Sequence, residues 1–95
     1  MNLNECIAYH KANPQIYAMF VRFTNEAIWS KRPRYSSKMI IERIRWETMI
    51  KADEGYKITN DMTAFYSRLW MLENPTKQLF KTRRSFLDGL KLNHL

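Results

Sequence analysis

Ninety-five residues, 45% of them hydrophobic and with a formal net charge of +7, suffice for one packed core and leave no room for a second. Two glycines and three prolines are too few for an all-β fold built on tight turns, and a single cysteine excludes an internal disulfide or a multi-cysteine metal site. No apolar run approaches the roughly 20 residues of a membrane span, and Met1-Asn2-Leu3-Asn4-Glu5 lacks the basic-then-apolar pattern of a signal peptide, so a reducing cytoplasm without a membrane partner is the expected setting.

In chain order, Asn2 or Asn4 can cap a short opening helix with Leu3, Cys6 and Ile7 on one side. Asn13-Pro14 ends it and starts the next, asparagine as N-cap and proline at the first helical position, where its missing N–H costs nothing. From Pro14 to about Trp29 the period is helical: Ile16, Phe20, Phe23 and Ala27 line one stripe, widened by Tyr17, Val21, Thr24 and Ile28. That arc is broader than a surface helix needs, and predicts this helix at the centre of the fold. Ser30 to Tyr35 reads as a basic loop, because Pro33 biases Arg32 away from helical angles.

Ser36 or Ser37 then caps a helix to about Lys51 with two apolar faces. Ile40, Ile41, Ile44 and Thr48 form one; Met39, Trp46 and Ile50 form the other, roughly opposite. The pairs Lys38–Glu42, Arg43–Glu47 and Glu42–Arg45 have the spacing of surface ion pairs. Asp53-Glu54-Gly55 stops the helix, and Tyr56-Lys57-Ile58-Thr59 alternates as a short strand would. Thr59 or Asn60 caps a helix through Glu73, with Met62, Phe65, Tyr66, Leu69, Trp70 and Leu72 facing inward and Thr63, Ser67 and Arg68 outward. Asn74-Pro75 repeats the earlier break. Lys77 to Phe86 is a last helix or an irregular basic arm anchored by Leu79, Phe80 and Phe86, and residues 87–95 read as a tail. The expected fold is mainly α: a single-domain helical bundle of four to five helices over residues 1–86, with one short β element at Tyr56–Thr59 that gives it a distant likeness to winged-helix domains. About ten residues between the last two long helices are too many for the ~3–4-residue turn of a helix-turn-helix.

Catalytic chemistry finds little footing. His10 and His94 stand near opposite ends without a partner at ligand spacing, and Cys6 lies on an apolar side with no histidine placed to activate it. Asp53-Glu54 reads as solvent-facing, and two glycines cannot build a phosphate-cradling loop. The expectation is a non-enzyme without cofactor or metal. Charge is more informative. Residues 30–45 carry Lys31, Arg32, Arg34, Lys38, Arg43 and Arg45 against Glu42 alone, and residues 75–95 carry Lys77, Lys81, Arg83, Arg84 and Lys91 against Asp88 alone. Residues 1–29 balance, and 46–74 are slightly acidic. Lys31, Arg32, Arg34 and Tyr35 precede a helix N-terminus, where unpaired N–H groups and positive charge together favour a phosphate. Lys31, Arg32, Arg34, Tyr35, Lys38, Arg45, Lys77, Lys81, Arg83 and Arg84 are therefore the candidate nucleic-acid-binding residues, with Tyr35 as a base-stacking ring or a buried loop anchor.

Four motifs carry a resemblance: Asn13-Pro14; Arg34-Tyr35-Ser36 leading into Ile40-Ile41-Glu42-Arg43-Ile44-Arg45-Trp46-Glu47; Gly55-Tyr56-Lys57-Ile58; and Phe65-Tyr66-Ser67-Arg68-Leu69. Over about residues 13–75 the chain resembles a family of small, mostly uncharacterised proteins encoded by phages and prophages. The resemblance implies action in the bacterial host cytoplasm and supplies no catalytic residue. Two expectations follow. One is nucleic-acid binding through the Lys/Arg loop and the C-terminal basic arm. The alternative is a protein-interaction factor that docks Met39, Trp46 and Ile50 on an acidic-surfaced host protein, such as a defence complex or a polymerase, and modulates it. Burial of those three would leave charge as the better clue, and their exposure would favour the protein partner. The same face would serve a homodimer.

Overall fold

The computed structural model describes residues 1–30, 36–52, 58–80 and 86–95; the side chains of Met49, Ile50, Lys51, Ala52, Phe86 and His94 stand outside that description. Within it the chain forms α1 (Leu3–Ala12), α2 (Pro14–Trp29), α3 (Ser37–Ala52), α4 (Asn60–Glu73) and two short 3-10 turns, Phe86–Gly89 and Leu92–His94. The mainly helical bundle expected from the periodicity is what forms.

Local chemistry sets the boundaries. Asn2 caps α1 through a reciprocal box: its Oδ1 accepts from the Glu5 N–H at 2.8 Å, and Glu5 Oε1 accepts from the Asn2 N–H at 3.2 Å. Pro14 opens α2 as expected, but the Asn13 side chain does not cap that helix. It turns back, its Nδ2 donating to the Tyr9 carbonyl at 3.1 Å. Asn74 does the same at the end of α4, donating to the Trp70 carbonyl at 2.8 Å. The two asparagines share one backbone conformation, near φ −132, ψ 59 and φ −129, ψ 67. The repeated Asn-Pro is thus a C-terminal stop: the asparagine's backbone N–H and its side-chain amide both donate to the same carbonyl four residues back, and proline then forbids the helix's continuation. At α3 the Ser36 hydroxyl accepts from the Met39 N–H at 3.3 Å, and at α4 the Thr59 hydroxyl accepts from the Met62 N–H at 3.2 Å. Thr59 is therefore a helix cap, and neither it nor the buried Ile58 lies in a strand; Tyr56 and Lys57 fall outside the described residues, as do Asp53, Glu54 and Gly55.

The helix at the centre is α4, a departure from the expectation that α2 would occupy it. Met62, Phe65, Tyr66, Ser67, Leu69, Trp70 and Met71 are all buried, and α4 packs on α1, α2, α3 and both 3-10 turns. The reason lies downstream. Leu87 and Leu90, in the segment read as a tail, are buried, and Arg68 pairs with Asp88 at 2.6 Å. This segment encloses a second side of α4, drawing in Ser67 and Met71, while Leu72 stays on the rim, more than a third exposed. Phe80 is buried edge-on to Trp70, at 5.8 Å between centroids, and against Phe20 at 5.6 Å. Residues 77–79 are irregular, and 81–85 lie outside the described residues.

Aromatic rings make up much of the core. Tyr66 stacks on Tyr17 at 5.7 Å and meets Phe20 and Phe65 at similar distances. The Tyr17 hydroxyl donates to Glu73, and burial followed by that bond pushes its pKa far above the usual phenol value. The Tyr66 hydroxyl is buried and finds no hydrogen-bond partner among the described residues. An unpaired buried hydroxyl costs about 1–3 kcal/mol of desolvation. Tyr66→Phe is therefore expected to stabilise the fold by about 1 kcal/mol, raising Tm by about 4–8 °C in a thermal melt. An unchanged or lowered Tm would mean that the hydroxyl is satisfied.

Candidate functional site

Helices α2 and α3 form an antiparallel pair, for Glu26 meets Arg43 while Ser30, further along α2, lines a cleft with Met39, earlier in α3. The inner stripes do what the wheel predicts: Ile40, Ile41, Ile44 and Thr48 are buried, and the Thr48 hydroxyl donates to the Ile44 carbonyl at 2.8 Å. On the outside, Met39, Arg43 and Trp46 recur at helical spacing along one stripe. Met39 is 44% and Trp46 62% exposed, so the second apolar face of α3 is open; Ile50 belongs to it by spacing, but its side chain lies outside the described residues. Trp29, at the end of α2, is 85% exposed. The sequence reading missed Trp29 as a surface group. Its signal was on the wheel: at about 100° per residue it falls nearly opposite the Ile16–Phe20–Phe23 stripe.

The arginines of this face are allotted differently from the spacing rule. Arg43, expected to pair with Glu47, reaches across to Glu26 at 2.6 Å, with its guanidinium 4.3 Å from the centre of the Phe23 ring. Glu26 also takes Arg22 at 3.4 Å. Glu42 is taken by Arg45 at 2.9 Å as expected, which removes it from Lys38; Lys38 is exposed. Arg45 also donates to the Ile58 carbonyl at 2.7 Å, tying α3 to the approach to α4. A candidate nucleic-acid ligand is therefore committed to the fold. Phe23, Glu26, Ala27, Ser30, Met39, Ile40 and Arg43 line the cleft between the helices, about 280 Å³.

Of the other candidate binding residues, Lys77 is exposed just beyond α4, while Lys31, Arg32, Arg34, Tyr35, Lys81, Arg83 and Arg84 lie outside the described residues. Ser30, which ends α2 with its hydroxyl donating to the Ala27 carbonyl at 2.8 Å, and Ser36, which opens α3, bracket the first of these groups in sequence. Arg43→Ala is expected to cost about 1 kcal/mol, the combined worth of a part-exposed ion pair and a cation–π contact, measured by urea denaturation. Arg43→Lys should recover only part of it, since an ammonium cannot stack as a guanidinium does.

The groups with acid–base chemistry sit elsewhere. Cys6 is fully buried, and burial pushes its thiol pKa up, which suits a small core residue. His10 is half-buried against Tyr17, Phe65 and Tyr66, and its Nδ1 has no hydrogen-bond partner among the described residues. Burial holds its pKa below the ordinary imidazole value, opposed by the Glu73 carboxylate. A base with a depressed folded-state pKa binds its proton more readily when the chain unfolds. The associated stability is whole above about pH 6.5 and is lost as pH falls through that region. Tm should therefore drop between about pH 7.5 and about pH 5, and His10→Gln should flatten that part of the profile. Equal slopes in the two proteins would place the dependence on other groups.

Among the described residues no cluster of three His, Cys, Asp or Glu side chains could hold a metal ion, and no helix is long and apolar enough to cross a membrane. No protein-family model, curated protein or solved structure matches the chain.

Proposed function

We propose that the protein binds nucleic acid without catalysis, through the end of the α2–α3 pair. One observation carries this reading. From Ala27 to Ile41 the chain has four cations, Lys31, Arg32, Arg34 and Lys38, and no acid, while the two carboxylates that bound the stretch are already engaged by arginines, Glu26 by Arg22 and Arg43 and Glu42 by Arg45. Charge of one sign that the helix pair's own bounding acids do not offset attracts a polyanion and releases its counterions. Lys77 and the cations that follow it, Lys81, Arg83 and Arg84, are the second basic element. The resemblance to phage and prophage proteins implies a bacterial cytoplasm as the setting for such binding.

A second reading, docking on an acidic-surfaced host protein, is favoured by the exposure of Met39 and Trp46 beside the α2–α3 cleft. It ranks second because Arg43, on the stripe that joins the two, is already held by Glu26 and Phe23 and so is not free for an acidic partner, and because Ile50, the third residue of that face, has its side chain outside the described residues.

An electrophoretic mobility shift at low salt is the direct test, with DNA and RNA as separate arms. The affinity should fall steeply as salt rises. Replacing Lys31, Arg32, Arg34 and Lys38 together by alanine should lower the log–log salt slope by about three. A chain that shifts neither nucleic acid at low salt, or binds with an affinity indifferent to salt, does not have this function.

A further inference from the structure

The cation run explains attraction to any polyanion; it does not explain why two indoles of this protein stand in water. Trp29 is 85% and Trp46 62% exposed, whereas Trp70, the third tryptophan, is buried in the core. Their surroundings narrow the choice. One helical turn before Trp29 on α2 lie Asn25 and Glu26, and a turn earlier is Arg22, exposed like Asn25. Beside Trp46 on α3 lie Glu42 and Arg43, both in ion pairs. On the N-terminal side of each ring the helical neighbours are thus polar or charged; the side chains of Met49 and Ile50, one turn beyond Trp46, lie outside the described residues. A protein partner anchored by tryptophan wants a continuous dry patch around the ring, with carboxylates such as Glu26 and Glu42 kept to its rim. A base of a single strand wants less: one π-face to stack on, with cations near enough to meet the phosphates on either side.

From these observations we infer that the protein prefers single-stranded nucleic acid, with unpaired bases stacking on Trp29 and Trp46; the inference rests on the nucleic-acid reading above and names its substrate class. The occupant follows from charge complementarity. Trp29 immediately precedes the run of four cations without an acid, and Lys38, the last of them, is exposed on the first turn of α3 next to Met39. Trp46 stands two turns further along the same helix, about 10 Å from Met39 at 1.5 Å rise per residue. Both helices lead away from that basic end, and each carries one exposed ring for a strand drawn to it. In a duplex the bases are already stacked on one another and offer neither indole a face.

The test uses the full chain and four fluorescent probes at low salt: oligothymidylate, oligouridylate, a DNA duplex of equal phosphate number, and heparin, a polyanion without bases. Wild type is expected to bind the single strands more tightly than the duplex, with quenching of its exposed tryptophan emission. Trp29→Ala and Trp46→Ala should each weaken single-strand binding roughly tenfold and leave heparin binding unchanged. Circular dichroism should show both variants folded, as replacement of exposed side chains permits. Equal affinity for single strand and duplex, or variants that bind single strands like wild type, would overturn the stacking inference while leaving the charge-driven reading intact. Heparin binding without binding to either nucleic acid, or binding to no probe, would overturn both and pass the tryptophans to a protein partner. Selection between oligothymidylate and oligouridylate, lost in the same variants, would support stacking and assign the strand as DNA or RNA.

Discussion

The structure depends on the covering of α4. A helix that carries Phe65, Tyr66, Leu69, Trp70 and Met71 within two turns and a half presents apolar surface on most of its circumference. No single neighbour can shield it, because one packed helix covers only one stripe of another. The chain answers with α1, α2 and α3 around the main stripe and with the segment after Asn74 on the remaining side. Phe80 locks against Trp70, Leu87 and Leu90 close on the Met71 side, and the Arg68–Asp88 pair fastens the turn between them. Fully burying a side chain of this size is worth about 1.5–3 kcal/mol, which makes this aromatic stripe the main source of stability in so small a core.

That arrangement leaves α2 and α3 as an outer pair, each with one face spent on the core and the other free. Between them the contacts are of mixed kind: apolar at Phe23 and Ile40, ionic between Arg43 and Glu26, cation–π where Arg43 lies over Phe23. The consequence for function is a separation of roles among cations. Arg43 and Arg68 join separate elements through carboxylates, Arg45 through the Ile58 carbonyl, and Arg22 pairs within its own helix, while Lys31, Arg32, Arg34 and Lys38 form a run between Glu26 and Glu42 that those two carboxylates are not free to neutralise. The proposed binding of nucleic acid draws on that run for attraction and on the exposed Trp29 and Trp46 for stacking.

Much of this was legible in the residues. Helical periods marked all four helices, the proline after each asparagine marked two boundaries, and the double face of α3 followed from its wheel. What resisted was whatever depended on partners distant in sequence. Leu72 and Met71 are neighbours with similar side chains, and with Leu87 and Leu90 packed beside them Met71 is buried while Leu72 stays on the rim. Arg43 had an acid at the right spacing in Glu47 and chose Glu26 on another helix, because Phe23 offered a ring beneath the guanidinium. Asn13 looked like a helix start and works as a helix stop, its backbone N–H and its side-chain amide both donating to the Tyr9 carbonyl.

The sequence alone determined the elements, because helix formation is a local matter of apolar period, capping side chains and backbone restriction over a few residues. It determined the cation run as well, since the absence of acids between Glu26 and Glu42 needs no coordinates. Only the tertiary structure decided which helix lies at the centre, which arginines are structural, and that Trp29 and Trp46 face water while Trp70 does not. Those outcomes turn on which surfaces remain uncovered once every segment has packed, and burial is a property of the whole assembled chain.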